Sequence, residues 1–227
     1  METCLTHWNR GEDFPSLGIG HFIWYRDGQD GGFEETFPQM LYYLQQQGVT
    51  LPGWLADPLA ENNPWPDRDS FYADFDKAVL TELRQFLYDT RELQAAFIVQ
   101  RFQNDAQKIV DSTAPAQRQH LQRALQQVAI ARPPLGLYAL IDYLHFKGSG
   151  LNASERYNSQ GWGLQQVLLR MRENEQSLEA FVAAARQLLA ERVANAPAER
   201  NEQRWLQGWH NRVDSYLLPP VDTELAR

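Results

Sequence analysis

Cysteine occurs once, at Cys4, so the chain can form no internal disulfide and has no thiolate set for a metal site. No run of about 18 apolar residues occurs, which excludes a membrane-spanning helix on length, and the chain is expected to be soluble. Positive charge is also scarce. The 21 Lys and Arg against 29 Asp and Glu give a net charge of -8, the opposite of the clustered basic surface that nucleic acid requires, so no nucleic-acid partner is expected. No His-x-x-x-His pair, carboxylate cluster or strand-to-helix nucleophile elbow is present. Metalloenzyme and serine-hydrolase chemistries therefore have no footing, and no cofactor or metal is expected. Met1 is not followed by a basic stretch and then an apolar one, so no secretory signal is visible. A cell-envelope or periplasmic location would need an upstream signal already removed; otherwise the expected location is cytoplasmic.

What is present is ample core-forming material. At 227 residues and 43% hydrophobic content, the chain is read as one domain spanning 1–227, with a hairpin-containing lobe over 1–60 and a helical lobe over 61–227. Alternation from Phe14 to Tyr25 predicts a β-hairpin, and Asp27-Gly28 and Gly31-Gly32 supply turns. Residues 36–48 read as a helix stopped by Gly48, followed by a proline-rich loop over 50–67. Helical periodicity then dominates. One helix is expected from Asp69 or Ser70 through Leu87 and a second through Val110, then a Gln- and Arg-rich helix between Pro115 and Pro133. Residues 135–147 form a helix apolar on all sides, which predicts a central position. Three more helices fall over 161–174, 177–196 and 201–217, with Ser177 and Asn201 as caps, and the chain from Pro219 reads as a frayed tail. The fold class is α+β, mainly α, with a small N-terminal β-hairpin packed beside a larger helical lobe.

The stretch Trp8-Asn9-Arg10-Gly11-Glu12-Asp13-Phe14-Pro15-Ser16-Leu17-Gly18-Ile19-Gly20-His21 resembles the active-site segment of the phage-type lysozymes. In that family a catalytic Glu precedes a hairpin bearing an acidic residue and a Thr or Ser just before Ile-Gly-Ile-Gly-His. Ser16 through His21 follow that run. The resemblance implies a lysozyme-like fold, with Glu2 near the catalytic Glu and Glu12 as the acidic residue nearest the second carboxylate, whose counted position falls at Arg10. A looser likeness covers Leu140 to Gly150 and Gly161-Trp162-Gly163-Leu164, where lysozyme-like proteins place a buried helix at the cleft floor. Phe146 and Trp162 are the expected substrate contacts there.

Glycosidic cleavage needs an acid to protonate the leaving oxygen and a carboxylate to support the oxocarbenium-like transition state or to activate water. The resemblance gives these roles to Glu2 and Glu12, with Ser16 orienting water. Gly18 and Gly20 share one face of a strand and lack side chains, so a sugar ring could approach the backbone there. His21 is a candidate contact, but a histidine between apolar neighbours at a strand end more often makes buried hydrogen bonds. Among the tryptophans, most are expected to pack and one or two to stack on ligand. The implied function is a muramidase-like glycoside hydrolase whose partner is a peptidoglycan or related aminosugar polymer. Its rival is a non-catalytic lysozyme-like protein that binds a glycan or a protein, which the negative charge favours. A purely helical interaction protein would make the N-terminal motif accidental. Substrate identity, stereochemical outcome and oligomeric state stay open.

Overall fold

A computed structural model describes residues 2–29, 34–57, 62–175 and 177–218, with the side chains of Glu2, Thr3 and Ser154 outside the description. Gly31, Gly32, Pro58 and the tail from Pro219 lie outside the described residues. The chain is mainly helical with a small antiparallel sheet near the N-terminus. It divides into two compact units, Met1–Gln100 and Arg101–Arg227.

In the first unit a 3-10 turn over Glu2–Leu5 leads into β1 (Thr6–His7), which pairs with β2 (Ser16–Leu17), which pairs in turn with β3 (Phe22–Ile23). The expected hairpin is therefore present, with residues 18–21 as its loop and β1 as an added strand. Two left-handed residues close the loop, Gly18 at φ 68 and His21 at φ 49, and the His21 amide donates to the Gly18 carbonyl at 3.3 Å. The Gly18 amide donates to the Leu5 carbonyl at 2.8 Å, which ties the loop back to the start of the chain. Helix α1 (Phe37–Gln46) has proline in its first turn and ends before Gly48, which takes φ 83. Its buried face of Phe37, Met40, Leu41 and Leu44 joins Leu17, Phe22 and Trp24 in one core.

The single helix expected from residue 69 to 87 is two helices, α2 (Arg68–Ala73) and α3 (Ala78–Asp89). Side chains explain the break. The Asp74 carboxylate accepts from the Trp65 indole at 3.2 Å and from Lys77 at 2.6 Å, and Arg84 donates to the Phe75 carbonyl at 2.5 Å. The Arg84 bond satisfies a backbone carbonyl that a continuous helix would have used internally, and the other two anchor Asp74 at the junction. At the start of α2, Asp67 takes the cap, its side chain accepting from the Ser70 amide at 2.7 Å.

Helix α4 (Arg91–Ser112) runs through the boundary between the units. The second unit continues with α5 (Pro115–Ile130), α6 (Leu135–Lys147), α7 (Leu164–Arg170), α8 (Leu178–Asn195) and α9 (Gln203–Asp214). A two-stranded ribbon, β4 (Arg156–Tyr157) with β5 (Gln160–Gly161), precedes α7. Its core gathers Leu121, Val128, Leu140, Tyr143, Leu168, Phe181 and Tyr216.

Helix α6 packs against α5 and α7, and a Cβ on Gly136 would lie 1.9 Å from the Val128 carbonyl, so only glycine permits that approach. The helix is not buried on all sides as its apolarity predicts: Tyr138 is 52% exposed and His145 is exposed. Ser177 caps α8 as expected, accepting from the Ala180 amide at 3.2 Å. Asn201 does not cap α9. It takes a left-handed φ of 45 after the 3-10 turn Ala198–Arg200, and Glu202 occupies the cap position with its carboxylate committed elsewhere.

Candidate functional site

The segment carrying the lysozyme-like motif is held by a run of hydrogen bonds that starts at α2. The Tyr72 hydroxyl meets His7 Nδ1 at 3.0 Å, His7 Nε2 meets Asn9 Oδ1 at 2.9 Å, and Asn9 Nδ2 donates to Glu12 Oε2 at 2.9 Å. With the imidazole proton on Nε2, each group donates to the next and the run ends on the Glu12 carboxylate. Its far end is fixed by the Trp8 amide, which donates to the Tyr72 hydroxyl at 3.2 Å, and by the Arg68 guanidinium, 4.4 Å over the Tyr72 ring. The Trp8 indole donates to the Glu12 carbonyl at 2.8 Å, so backbone and side chain of Glu12 are both anchored. Trp8 itself is buried and serves packing.

Ser16 is buried on the central strand, directly across from His7 in the register, and cross-strand partners share a face. Glu12, Asn9, His7 and Ser16 thus form one neighbourhood. His7, Asn9 and Tyr72 were not singled out by the sequence. The backbone of Glu2 lies in the opening 3-10 turn, and its side chain lies outside the described residues.

The glycine face expected for a sugar is filled. A Cβ at Gly18 would sit 2.4 Å from the Gln94 side-chain oxygen, and one at Gly20 would sit 2.5 Å from the Phe22 ring and 3.1 Å from Ile98. Gln94 is buried, accepts from the Ile19 amide at 3.0 Å and donates to the Leu87 carbonyl at 2.7 Å, pinning the loop to α4. These glycines make room for protein, because the loop packs on a helix that the hairpin pattern alone does not show. His21 is exposed at the loop end and is not a buried strand-end histidine.

Phe146 and Trp162 belong to the second unit, and cations cover their rings. Trp162 is buried, 4.7 Å from the Tyr157 ring and 4.0 Å below the Arg192 guanidinium. Phe146 has Lys147 Nζ at 4.0 Å and the Arg212 guanidinium at 4.4 Å from its ring centre. Both contacts belong to a cluster that sequence reasoning missed. Arg192 is bidentate to the fully buried carboxylate of Glu202 at 2.8 and 2.9 Å, and Glu202 also accepts from the Tyr157 hydroxyl at 2.9 Å. Arg212 is bidentate to Asp142, which also accepts from the Tyr216 hydroxyl at 2.5 Å. Burial works to raise the pKa of Asp142 and of Glu202, but the arginine and tyrosine hydrogen bonds outweigh it and hold both carboxyls below the ordinary range.

Lys147 sits among these groups, with Nζ 3.4 Å over the Trp209 ring and only 8% of the residue exposed. Burial, reinforced by Arg192 and Arg212 against Glu202, pushes its amine down to about 6. The signal available in sequence was a single lysine closing an otherwise apolar helix, which reads equally well as a C-terminal charge favoured by the helix dipole. Among the described residues no group of three or more His, Cys, Asp and Glu could hold a metal ion, and no helix is long and apolar enough to cross a membrane. No protein-family model matches the chain, and no curated protein or solved structure is significantly similar to it.

Proposed function

We propose that the chain is a glycoside hydrolase of lysozyme-like type acting on peptidoglycan or a related aminosugar polymer, with Glu12 as the second carboxylate. The observation that carries this reading is the run of hydrogen bonds that joins Tyr72, His7, Asn9 and the Glu12 carboxylate. Two-carboxylate hydrolysis needs a second carboxylate held in place opposite the scissile bond, and the Asn9 amide, with the Trp8 indole on the backbone carbonyl, holds that of Glu12. Glu2 is the proposed acid. Ser16, across the strand pair from His7, is the proposed water-positioning residue.

The rival is a non-catalytic glycan- or protein-binding protein, and the filled faces of Gly18 and Gly20 favour it, since they leave no bare backbone for a sugar ring. One substitution separates the two. Gln at position 12 keeps an oxygen for Asn9, so Glu12→Gln is expected to fold with a nearly unchanged melting temperature. In the hydrolase it abolishes clearing of a cell-wall suspension while co-sedimentation with the insoluble wall persists. If the wild-type protein co-sediments but clears nothing, the binding reading replaces the catalytic one.

A further inference from the structure

The chain has three lysines, Lys77, Lys108 and Lys147. Two are ordinary. Lys77 pairs with Asp74 at 2.6 Å and Lys108 with Asp105 at 2.8 Å, and their side chains are 66% and 68% exposed. Lys147 is buried between the rings of Phe146 and Trp209, and among the described residues no hydrogen bond or ion pair reaches its Nζ. An ammonium there is partly compensated by the two ring faces, but its nearest charged neighbours are two guanidiniums, Arg192 paired with Glu202, which Arg200 also meets, and Arg212 paired with Asp142. Burial favours an uncharged, nucleophilic amine, and an anion formed on it would need hydrogen-bond donors.

Donors for that anion are in reserve. Arg192 gives its Nε and Nη2 to Glu202, and Arg212 gives its Nε and Nη2 to Asp142, which leaves Nη1 of each guanidinium without a hydrogen bond among the described residues. The two arginines also share the amine's aromatic walls, Arg192 lying 4.8 Å from the Trp209 ring and Arg212 4.4 Å from the Phe146 ring. We propose that Lys147 is a carbon dioxide-binding residue, its amine reacting to form a carbamate held beside Arg192 and Arg212. The nitrogen lone pair forms an N–C bond to carbon dioxide, one C=O π pair moves onto oxygen, and the nitrogen releases a proton to solvent. Amine and carbon dioxide thus give a carbamate anion and a proton, with no oxidant or reductant. Carbon dioxide is a small molecule, and the residue it must reach is 8% exposed.

The test uses the full chain equilibrated with ¹³C-bicarbonate at neutral to mildly alkaline pH. The expected result is a protein-bound carbamate ¹³C resonance, and O-alkylation of the adduct followed by peptide mass spectrometry places it on Lys147 in the wild-type protein. Lys147→Arg and Lys147→Met, each checked for native circular dichroism, should lose the resonance, while Lys77→Arg should keep it. Absence of the resonance from the wild type, or an adduct found only on the α-amino group, Lys77 or Lys108, overturns the proposal.

Discussion

At the scale of single residues, the strongest departures from ordinary chemistry are a lysine without an acid and two glycines without space. Lys147 is pushed down to about 6 from an ordinary 10.5. Between those values the folded chain holds a neutral amine while the unfolded chain holds an ammonium, so unfolding takes up a proton. Stability contributed at this position therefore rises with pH across the window from about 6 to 10.5, with a slope approaching about 1.4 kcal/mol per pH unit. Lys147→Met should remove that rise and be neutral or stabilising at pH 7, because methionine needs no proton released on folding. Urea titrations of both proteins at several pH values check the sign; a parallel pH dependence in the two would contradict it. Gly18→Ala puts a methyl 2.4 Å from a buried amide oxygen at a φ of 68. It should cost about 1–3 kcal/mol, read as a lower denaturation midpoint at unchanged slope.

At the scale of elements, local pattern and long-range chemistry separate cleanly. The hairpin over 16–23, α1, α5, α6 and α8 were legible because each is written in a short window: alternation about a glycine loop, proline at a helix start, an N-capping serine. The break between α2 and α3 was not, because its cause is side-chain bonding at the junction, by Trp65 from the preceding loop and by Arg84 from a later turn. The neighbours of Glu12 were hidden for the same reason. Asn9 lies three residues away, but Tyr72 closes the run from 60 positions further along the chain. The Lys147 cluster draws on residues from 142 to 216, and no spacing rule connects them. Gln94 provides the test at this scale. Its side chain joins the hairpin loop to the ends of α3 and α4, so Gln94→Ala leaves the Ile19 amide and the Leu87 carbonyl without this partner. A loss of about 1–3 kcal/mol is expected, with amide exchange at Ile19 accelerated first. Protection at Ile19 equal to wild type would show that the loop is held by other means.

At the scale of the whole molecule, the described residues form two hydrophobic cores, one in each compact unit. Leu83→Ala and Leu168→Ala each truncate a fully buried side chain, one per core, at a cost of about 2–5 kcal/mol. Hydrogen exchange should show the first loss concentrated in residues 1–100 and the second in 101–227. The proposed chemistry belongs to the first unit and the carbon dioxide site to the second, so a substitution at Lys147 is expected to leave wall cleavage unchanged and one at Glu12 to leave the carbamate resonance unchanged. The central claim is that Glu12 serves glycosidic hydrolysis. Its most direct test is to incubate purified peptidoglycan with the wild-type protein and with Glu12→Gln, and to measure new reducing sugar ends and the mass of the soluble fragments. Reducing ends that accumulate with the wild type and fall at least a hundredfold with Glu12→Gln are the predicted result; equal release by the two proteins, or none by the wild type, contradicts it.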